Sequence, residues 1–332
     1  MLCGNERKPR SGKLSHYILR VPRNTECSLL HQATTLLYVQ KKFPKPTPQL
    51  HTYSSTSDNA LDRPYMLLER LPGQTLEALW PTLNQEQRKS AVKCITEVLR
   101  DLQKITNKTA GILSARNTNY DIKQNLLRVE PIPISAANVS MNTPLAKPQT
   151  TRALLLELCQ RQQDDTRSRG LQGYDHVWDG FVKITGDLFS LGLIPDKDPF
   201  HFYHADLQSR NLLFTIQSPA VVRLTGVLDW DSAIFAPKFM STRAPFFLWS
   251  KDDADDNEED NALLEPEHAE KAELKRTFEQ EVGEAFCKES YRKEYVLARR
   301  MWYFMGNGLG NDGDVPLAEK VLGLWSGLYP VN

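Results

Sequence analysis

Between His201 and Asp231 the chain carries a carboxylate, an amide and a second carboxylate, each at the end of a strand-like apolar run. The first run ends at His204 and opens the loop His204-Ala205-Asp206-Leu207-Gln208-Ser209-Arg210-Asn211. Apolar Leu212-Leu213-Phe214 follows, and a second run closes on Val227-Leu228-Asp229-Trp230-Asp231. These residue types in this order suit transfer of a phosphoryl group from a nucleotide, where positioning and charge neutralisation dominate catalysis. At a strand end, Asp206 would orient an acceptor hydroxyl and take its proton as the bond to phosphorus forms. Asn211 and Asp229 offer oxygens of the hard kind that magnesium prefers, and the phosphates and water complete its shell. His204 is read as a brace that holds the loop by hydrogen bonds. An H-x-D triplet alone commonly marks a surface turn, so the reading rests on the spacing. Asn211 lies five positions after Asp206, and Asp229 lies eighteen after Asn211.

The elements that must position these groups are legible in outline. Residues 16 to 23 read as a short strand stopped by Pro22, and residues 28 to 42 have helical spacing in Leu29, Ala33, Leu36 and Leu37. Pro44, Pro46 and Pro48 make an extended connector, residues 51 to 63 a polar loop, and Tyr65 to Leu71 a strand turned by Pro72-Gly73. Asn84 is a helix cap with Gln87 three residues on, followed by Ala91, Ile95, Val98, Leu102 and Ile105 at helical spacing. Residues 106 to 150 are loop-rich and suited to shaping an acceptor pocket. Further helices are expected at 152 to 163, 174 to 193, 267 to 288, 290 to 305 and 317 to 328. Asp231 is read as the cap of the turn after the second strand rather than as a further ligand. From Asp252 to Asp260 seven of nine residues are acidic, read as a solvated loop before a trap for a cationic substrate.

Composition narrows the class. The 332 residues are 40% hydrophobic and 25% charged, with 41 basic and 41 acidic side chains. A chain of this length buries a sizeable core, and the balanced charge carries no footprint for nucleic acid or an anionic membrane. Cys3, Cys27, Cys94, Cys159 and Cys287 are scattered without a close pair, which fits neither a disulfide framework nor a zinc site. With no apolar spanning run and no signal core, a soluble cytoplasmic protein is expected, with no membrane or nucleic-acid partner.

The stretches at 204 to 211 and 227 to 231, together with Tyr65-Met66-Leu67-Leu68-Glu69-Arg70-Leu71-Pro72-Gly73, resemble the aminoglycoside phosphotransferase and choline kinase group, particularly its fungal members. The resemblance runs from about Tyr17 to the C-terminus. It implies an α+β, protein-kinase-like fold of two lobes with MgATP between them. Residues 1–71 would form a partial strand-rich lobe and hinge, and residues 72–332 a mainly helical lobe. It further implies that Arg20 pairs with the nucleotide phosphates and that Gln32 stands where the family has a glutamate partner for that cation. Backbone groups near Glu69 and Leu71 would meet adenine. From pattern alone Arg20 is a surface strand arginine, and Glu69 is equally a hinge-surface charge. A small-molecule acceptor is favoured over a protein, because Gln208 replaces the protein-kinase lysine and no Asp-Phe-Gly segment follows.

Two rival readings remain at this stage. A non-catalytic kinase-like binding module would account for uncharged Gln32 and for the small room before Arg20, where two strands and a phosphate-covering loop are expected. A D-x-D glycosyltransferase would use Asp229 and Asp231 on one metal, but it has no use for His204, Asp206 and Asn211.

Overall fold

The computed structural model describes residues 16–22, 29–114, 128–134, 144–250, 259, 263–310 and 313–330. It shows the kinase-like α+β arrangement of a small strand-bearing lobe against a larger helical one. The small lobe begins with β1 (Tyr17–Arg20), α1 (Leu29–Lys42), β2 (Leu50–Ser54) and β3 (Tyr65–Glu69). Its sheet is antiparallel in the order β1-β3-β2, with Arg20 opposite Met66 and Tyr17 opposite Glu69. The expected loop at 51 to 63 therefore begins as a strand. Leu-His-Thr-Tyr-Ser lacks an apolar alternation strong enough to announce itself, and the segment is held by its ladder to β3.

Helix α1 serves two cores. Its N-terminal Leu29 and Ala33 close a small cluster with Met66 of β3. Its C-terminal half sends Leu36, Tyr38 and Val39 into the main core. A four-residue offset along one helix thus joins the two lobes, because residues three and four apart share a face.

After β4 (Gln74–Thr75) and the short α2 (Leu76–Leu79), α3 (Gln85–Gln103) is the central helix of the large lobe. The capping box predicted at its start is present in both directions: Gln87 N–H donates to Asn84 Oδ1 at 3.0 Å, and Asn84 N–H donates to Gln87 Oε1 at 3.1 Å. Ala91, Val92, Ile95 and Val98 are completely buried along one stripe. Each larger aliphatic side chain of that stripe contributes about 1.5–3 kcal/mol by leaving water.

The region after α3 is less irregular than expected. It holds β5 (Thr106–Asn107), β6 (Ile112–Leu113) and β7 (Val129–Glu130), the last two paired, while residues 115–127 and 135–143 lie outside the described residues. Helices α4 (Thr151–Ser168) and α5 (Asp175–Ser190) pack together and lead into β8 (Phe200–Tyr203). The hairpin of β9 (Leu212–Ile216) and β10 (Val222–Val227) comes next, then β11 (Ile234–Ala236) and the short α6 (Lys238–Ser241).

Among the described residues the later helices are α7 (Ala269–Val282), α8 (Glu284–Tyr291), α9 (Lys293–Asn307) and α10 (Asp314–Leu328). The single helix expected over 267 to 288 is divided at Gly283. Its φ of +89° is a conformation glycine adopts without a Cβ penalty, and it ends α7 and starts α8. No described helix is long and apolar enough to cross a membrane.

Candidate active site

Two antiparallel pairings bring the polar residues together. Strand β8 lies between β5 and β11, with Tyr203 opposite Ile234, so its C-terminal end delivers His204 beside the start of β11. The β9–β10 register places Leu212 opposite Val227. At the open end of that hairpin, Leu228 N–H donates to Asn211 O at 2.8 Å. Residues eighteen apart in sequence, Asn211 and Asp229, are thereby held side by side.

The loop itself is tightly tied. Asp206 N–H donates to His204 Nδ1 at 3.3 Å, which leaves the ring proton on Nε2 to donate to Leu228 O at 2.8 Å. Burial pushes the His204 pKa below its ordinary value, so the ring is neutral and acts as the expected brace. Trp230 covers it: the ring centroids are 4.5 Å apart, and Trp230 also stacks with Phe202 and meets Phe43 edge-on. Trp230 Nε1 donates to Val227 O at 2.9 Å. Ala205 and Asp229 both have left-handed backbone, with φ of +64° and +60°. Such non-glycine residues cost about 1–3 kcal/mol each, and they persist here because the surrounding bonds and rings fix them.

Both oxygens of Asp206 are engaged. Asn211 Nδ2 donates to Asp206 Oδ2 at 2.9 Å and to Asp206 O at 2.8 Å. Arg210 donates to Asp206 Oδ1 at 2.5 Å. Sequence reading overlooked Arg210, although its four-residue spacing from Asp206 was visible. The Asn211 amide nitrogen is thus committed to Asp206.

Arg20 reaches this site from β1, but not to the partner expected. Its guanidinium donates to both oxygens of Asp231, with 2.9 Å from Nη1 to Oδ1, and stands 3.7 Å from Asp229. Asp231 therefore does not cap the turn that begins at Trp230, which has no side-chain cap. Burial pushes the Asp231 carboxyl above the ordinary carboxylate range, and Arg20 opposes that shift. Gln32 makes no bond to Arg20, and its Oε1 is buried without a hydrogen-bond partner. An uncharged amide competes poorly with a carboxylate for a guanidinium, which accounts for the exchange of partners.

The turn of α1 next to Gln32 is anchored elsewhere. His31 Nδ1 lies 2.8 Å from Leu113 O and Nε2 lies 3.5 Å from Glu130, which also accepts from Ser114 at 2.8 Å. These partners sit on β6 and β7, far along the chain, and no local pattern announced them.

At the expected hinge, Glu69 N–H is already engaged by Gln49 O at 2.8 Å. Leu71 makes no backbone hydrogen bond to a described residue. Pro72 O accepts from Thr225 Oγ1 at 2.5 Å, and Gly73 follows with φ +106°. A Cβ on Gly73 would lie 2.5 Å from Thr225 Oγ1 and 2.6 Å from Phe214 O, so the hinge turn needs glycine both for its dihedral and for its close approach to the β9–β10 hairpin.

Beyond this loop, Arg299 of α9 is buried and binds Glu259, Phe239 O at 2.8 Å and Ser290 O at 2.7 Å. Glu259 is the one described residue of the acidic run at 252 to 260, and there it acts as an ion-pair partner rather than as solvated loop. The remaining acids of that run lie outside the described residues.

Comparisons with known proteins agree with this geometry. The model of the phosphotransferase enzyme family matches residues 7–237, well over half of the chain. Curated relatives, the subtelomeric hrmA-associated cluster proteins of two Aspergillus fumigatus strains, are 28% identical over 71 residues. That match spans 21% of this chain and 14% of the relatives' length. Among solved structures, a streptomycin–ATP complex of APH(2")-IIa superimposes with TM-score 0.54 at 12% identity, covering 96% of this chain and 91% of that one. ADP-bound aminoglycoside phosphotransferase APH(2'')-Ib gives TM-score 0.51 at 12% identity, covering 96% and 92%. These likenesses establish the fold, and the family match displaces the glycosyltransferase alternative. The chain belongs to the phosphotransferase enzyme family.

Proposed function

We propose that this chain transfers the γ-phosphoryl group of MgATP to a hydroxyl, and less readily an amine, of a small molecule. The observation that carries the reading is the junction of Asp206, Asn211 and Asp229 through the Asn211 side chain and the Leu228 N–H···O Asn211 bond. In this reading Asp206 is the base. The acceptor O–H gives its proton to the carboxylate while the oxygen bonds to the γ-phosphorus, the bridging β–γ bond breaks, and ADP departs with those electrons. Arg210 and Asn211 hold the Asp206 carboxylate in one orientation, as a base acting on a positioned hydroxyl requires.

The residues present fit a magnesium ion: Asn211 Oδ1 and the Asp229 carboxylate are hard oxygens that the hairpin keeps adjacent. Bound there, the ion would neutralise charge on the β- and γ-phosphates. Arg20 is assigned to the phosphates, and would exchange Asp231 for them when nucleotide enters. Leu71, with open backbone groups, is the better candidate of the two hinge residues for adenine, since the Glu69 N–H is occupied. The lobe boundary near residue 71 belongs to this proposal as well.

Gln32 favours one alternative, a module that binds nucleotide without turning it over, because no charged partner waits on α1 for Arg20. The test is transfer of label from γ-labelled ATP to a mixture of hydroxylated small molecules with magnesium. Label should move with wild-type chain and stay with Asp206→Asn. Equal transfer by both would remove Asp206 from the mechanism, and nucleotide binding without any transfer would favour the silent module.

A further inference from the structure

A cavity of about 390 Å³ lies on the flank of the catalytic loop, bounded by Ala205, Ile234 and Arg243 and by Arg300, Trp302 and Tyr303 of α9. Its size suits a small ligand. Its wall includes Ala205, the residue immediately before Asp206, while Asp206 itself stands outside the lining, so a ligand must extend past Ala205 to meet the proposed base.

The charge of the cavity is the informative feature. Arg243 follows α6 and also lines a second, mostly apolar cavity beside Leu207 and Gln208, so it stands between the two spaces that flank the loop. Its guanidinium lies 4.6 Å from the centroid of the Phe246 ring, which steadies it in place. Its guanidinium is hydrogen-bonded to the Tyr203 hydroxyl, but its Nε is buried without a hydrogen-bond partner and no carboxylate among the described residues pairs with it. A guanidinium in that condition is a binding group for a planar anion, because a buried donor without a partner carries a desolvation cost that a carboxylate or phosphate relieves. Glu259 also lines the cavity, but its carboxylate is engaged by Arg299. Among the described residues the wall therefore offers the Arg243 guanidinium and aromatic surface, and no uncommitted carboxylate for a protonated amine.

We propose that this cavity is the acceptor site and that it takes a hydroxylated anion, a sugar acid or a phosphate monoester, whose acid group pairs with Arg243 while a hydroxyl faces Asp206. This rests on the phosphotransferase reading above. It departs from the amine-bearing streptomycin of the APH(2")-IIa complex, and it makes Arg243 the residue that sets acceptor class.

The test titrates the full chain calorimetrically with gluconate, glucuronate and glucose 6-phosphate, and with glucosamine as the size-matched cation. At least one anion should bind at least tenfold more tightly than glucosamine, and Arg243→Gln should weaken that anion at least tenfold while Arg243→Lys retains part of it. Tighter binding of glucosamine would overturn the proposal. Anion affinity unchanged in Arg243→Gln, or no anion bound by wild type, would overturn it too. The wild-type comparison stands even if the glutamine variant fails to fold. Failure of the phosphotransferase reading shows separately, as absence of magnesium-dependent ATP binding by wild-type chain.

Discussion

The catalytic loop and strand β1 face the same site and are built in opposite ways. The loop packs against Trp230 through buried His204 and is fixed by His204 and Asn211, and left-handed Ala205 and Asp229 are held within and beside it. Strand β1 has Tyr17, Ile18 and Leu19 about half exposed, at 48%, 48% and 51%, and meets the loop region through the Arg20 side chain. In the proposed mechanism the chemistry falls to groups held by several bonds, whereas the cation proposed for the phosphates is left on an exposed strand with a replaceable partner. Preorganised dipoles and carboxylates cost no reorganisation during reaction, while a cation that must admit and release nucleotide benefits from a replaceable contact.

The sharpest way to break this comparison is at the loop. Asp206→Asn should lower turnover by about 10²–10⁴-fold with folding and nucleotide binding retained, as measured by transfer kinetics and calorimetry. A variant with near wild-type rate would show that the rigid half does not carry the chemistry.

Next in size is the support behind the loop. Arg299→Ala removes the partner of Glu259 and of two backbone carbonyls and leaves a buried charge unpaired, for an expected loss of about 3–5 kcal/mol in denaturant unfolding. Gly73→Ala should cost about 1–3 kcal/mol, since it combines a left-handed dihedral with contacts far too close for a Cβ. If both variants unfolded like wild type, the large lobe would not be rigid in the sense argued.

Arg20→Gln should behave the other way round. Its bond to Asp231 joins two partly exposed side chains, 38% and 22% accessible, so stability should change by no more than about 1 kcal/mol. MgATP affinity should fall more than that small change. A large loss of stability with unchanged affinity would make Arg20 a structural latch and not a phosphate ligand.

The smallest effect is with pH. Burial lowers the pKa of His201 and His204 in the folded chain, so an unfolded chain takes up these protons first as pH falls. Their contribution to stability is complete above the unfolded value of about 6.5 and is lost on acidification through it. Melting temperature should therefore decline below about pH 6.5, and His201→Gln should flatten part of the decline. A melting temperature that rose on acidification through that window would contradict the neutral buried assignment.

How much of this was written in the sequence differs between the two regions as well. The loop was legible because its polar residues sit at the ends of apolar runs, and hairpin pairing converts that spacing directly into proximity. The Asn84–Gln87 capping box was legible for the same local reason. Arg20 stood out only through the family resemblance, and its partner did not stand out at all: Asp231 lies 211 positions away, and nothing local ranks it above Gln32. Strand β2 was missed because its residues are polar and its stability comes from pairing to β3. Arg243, Arg299 and the His31–Glu130 contact depend on helix packing between distant segments, which periodicity does not encode.

The central claim is that the fixed carboxylate and amide at the hairpin hold magnesium with nucleotide, and calorimetry tests it most directly. Wild-type chain, Asp229→Asn and Asp206→Asn are each titrated with ATP, with and without magnesium. Magnesium-dependent binding is expected in wild type and Asp206→Asn, with loss of that dependence in Asp229→Asn. ATP binding that ignores magnesium in wild type, or that keeps its full magnesium dependence in Asp229→Asn, would contradict the claim.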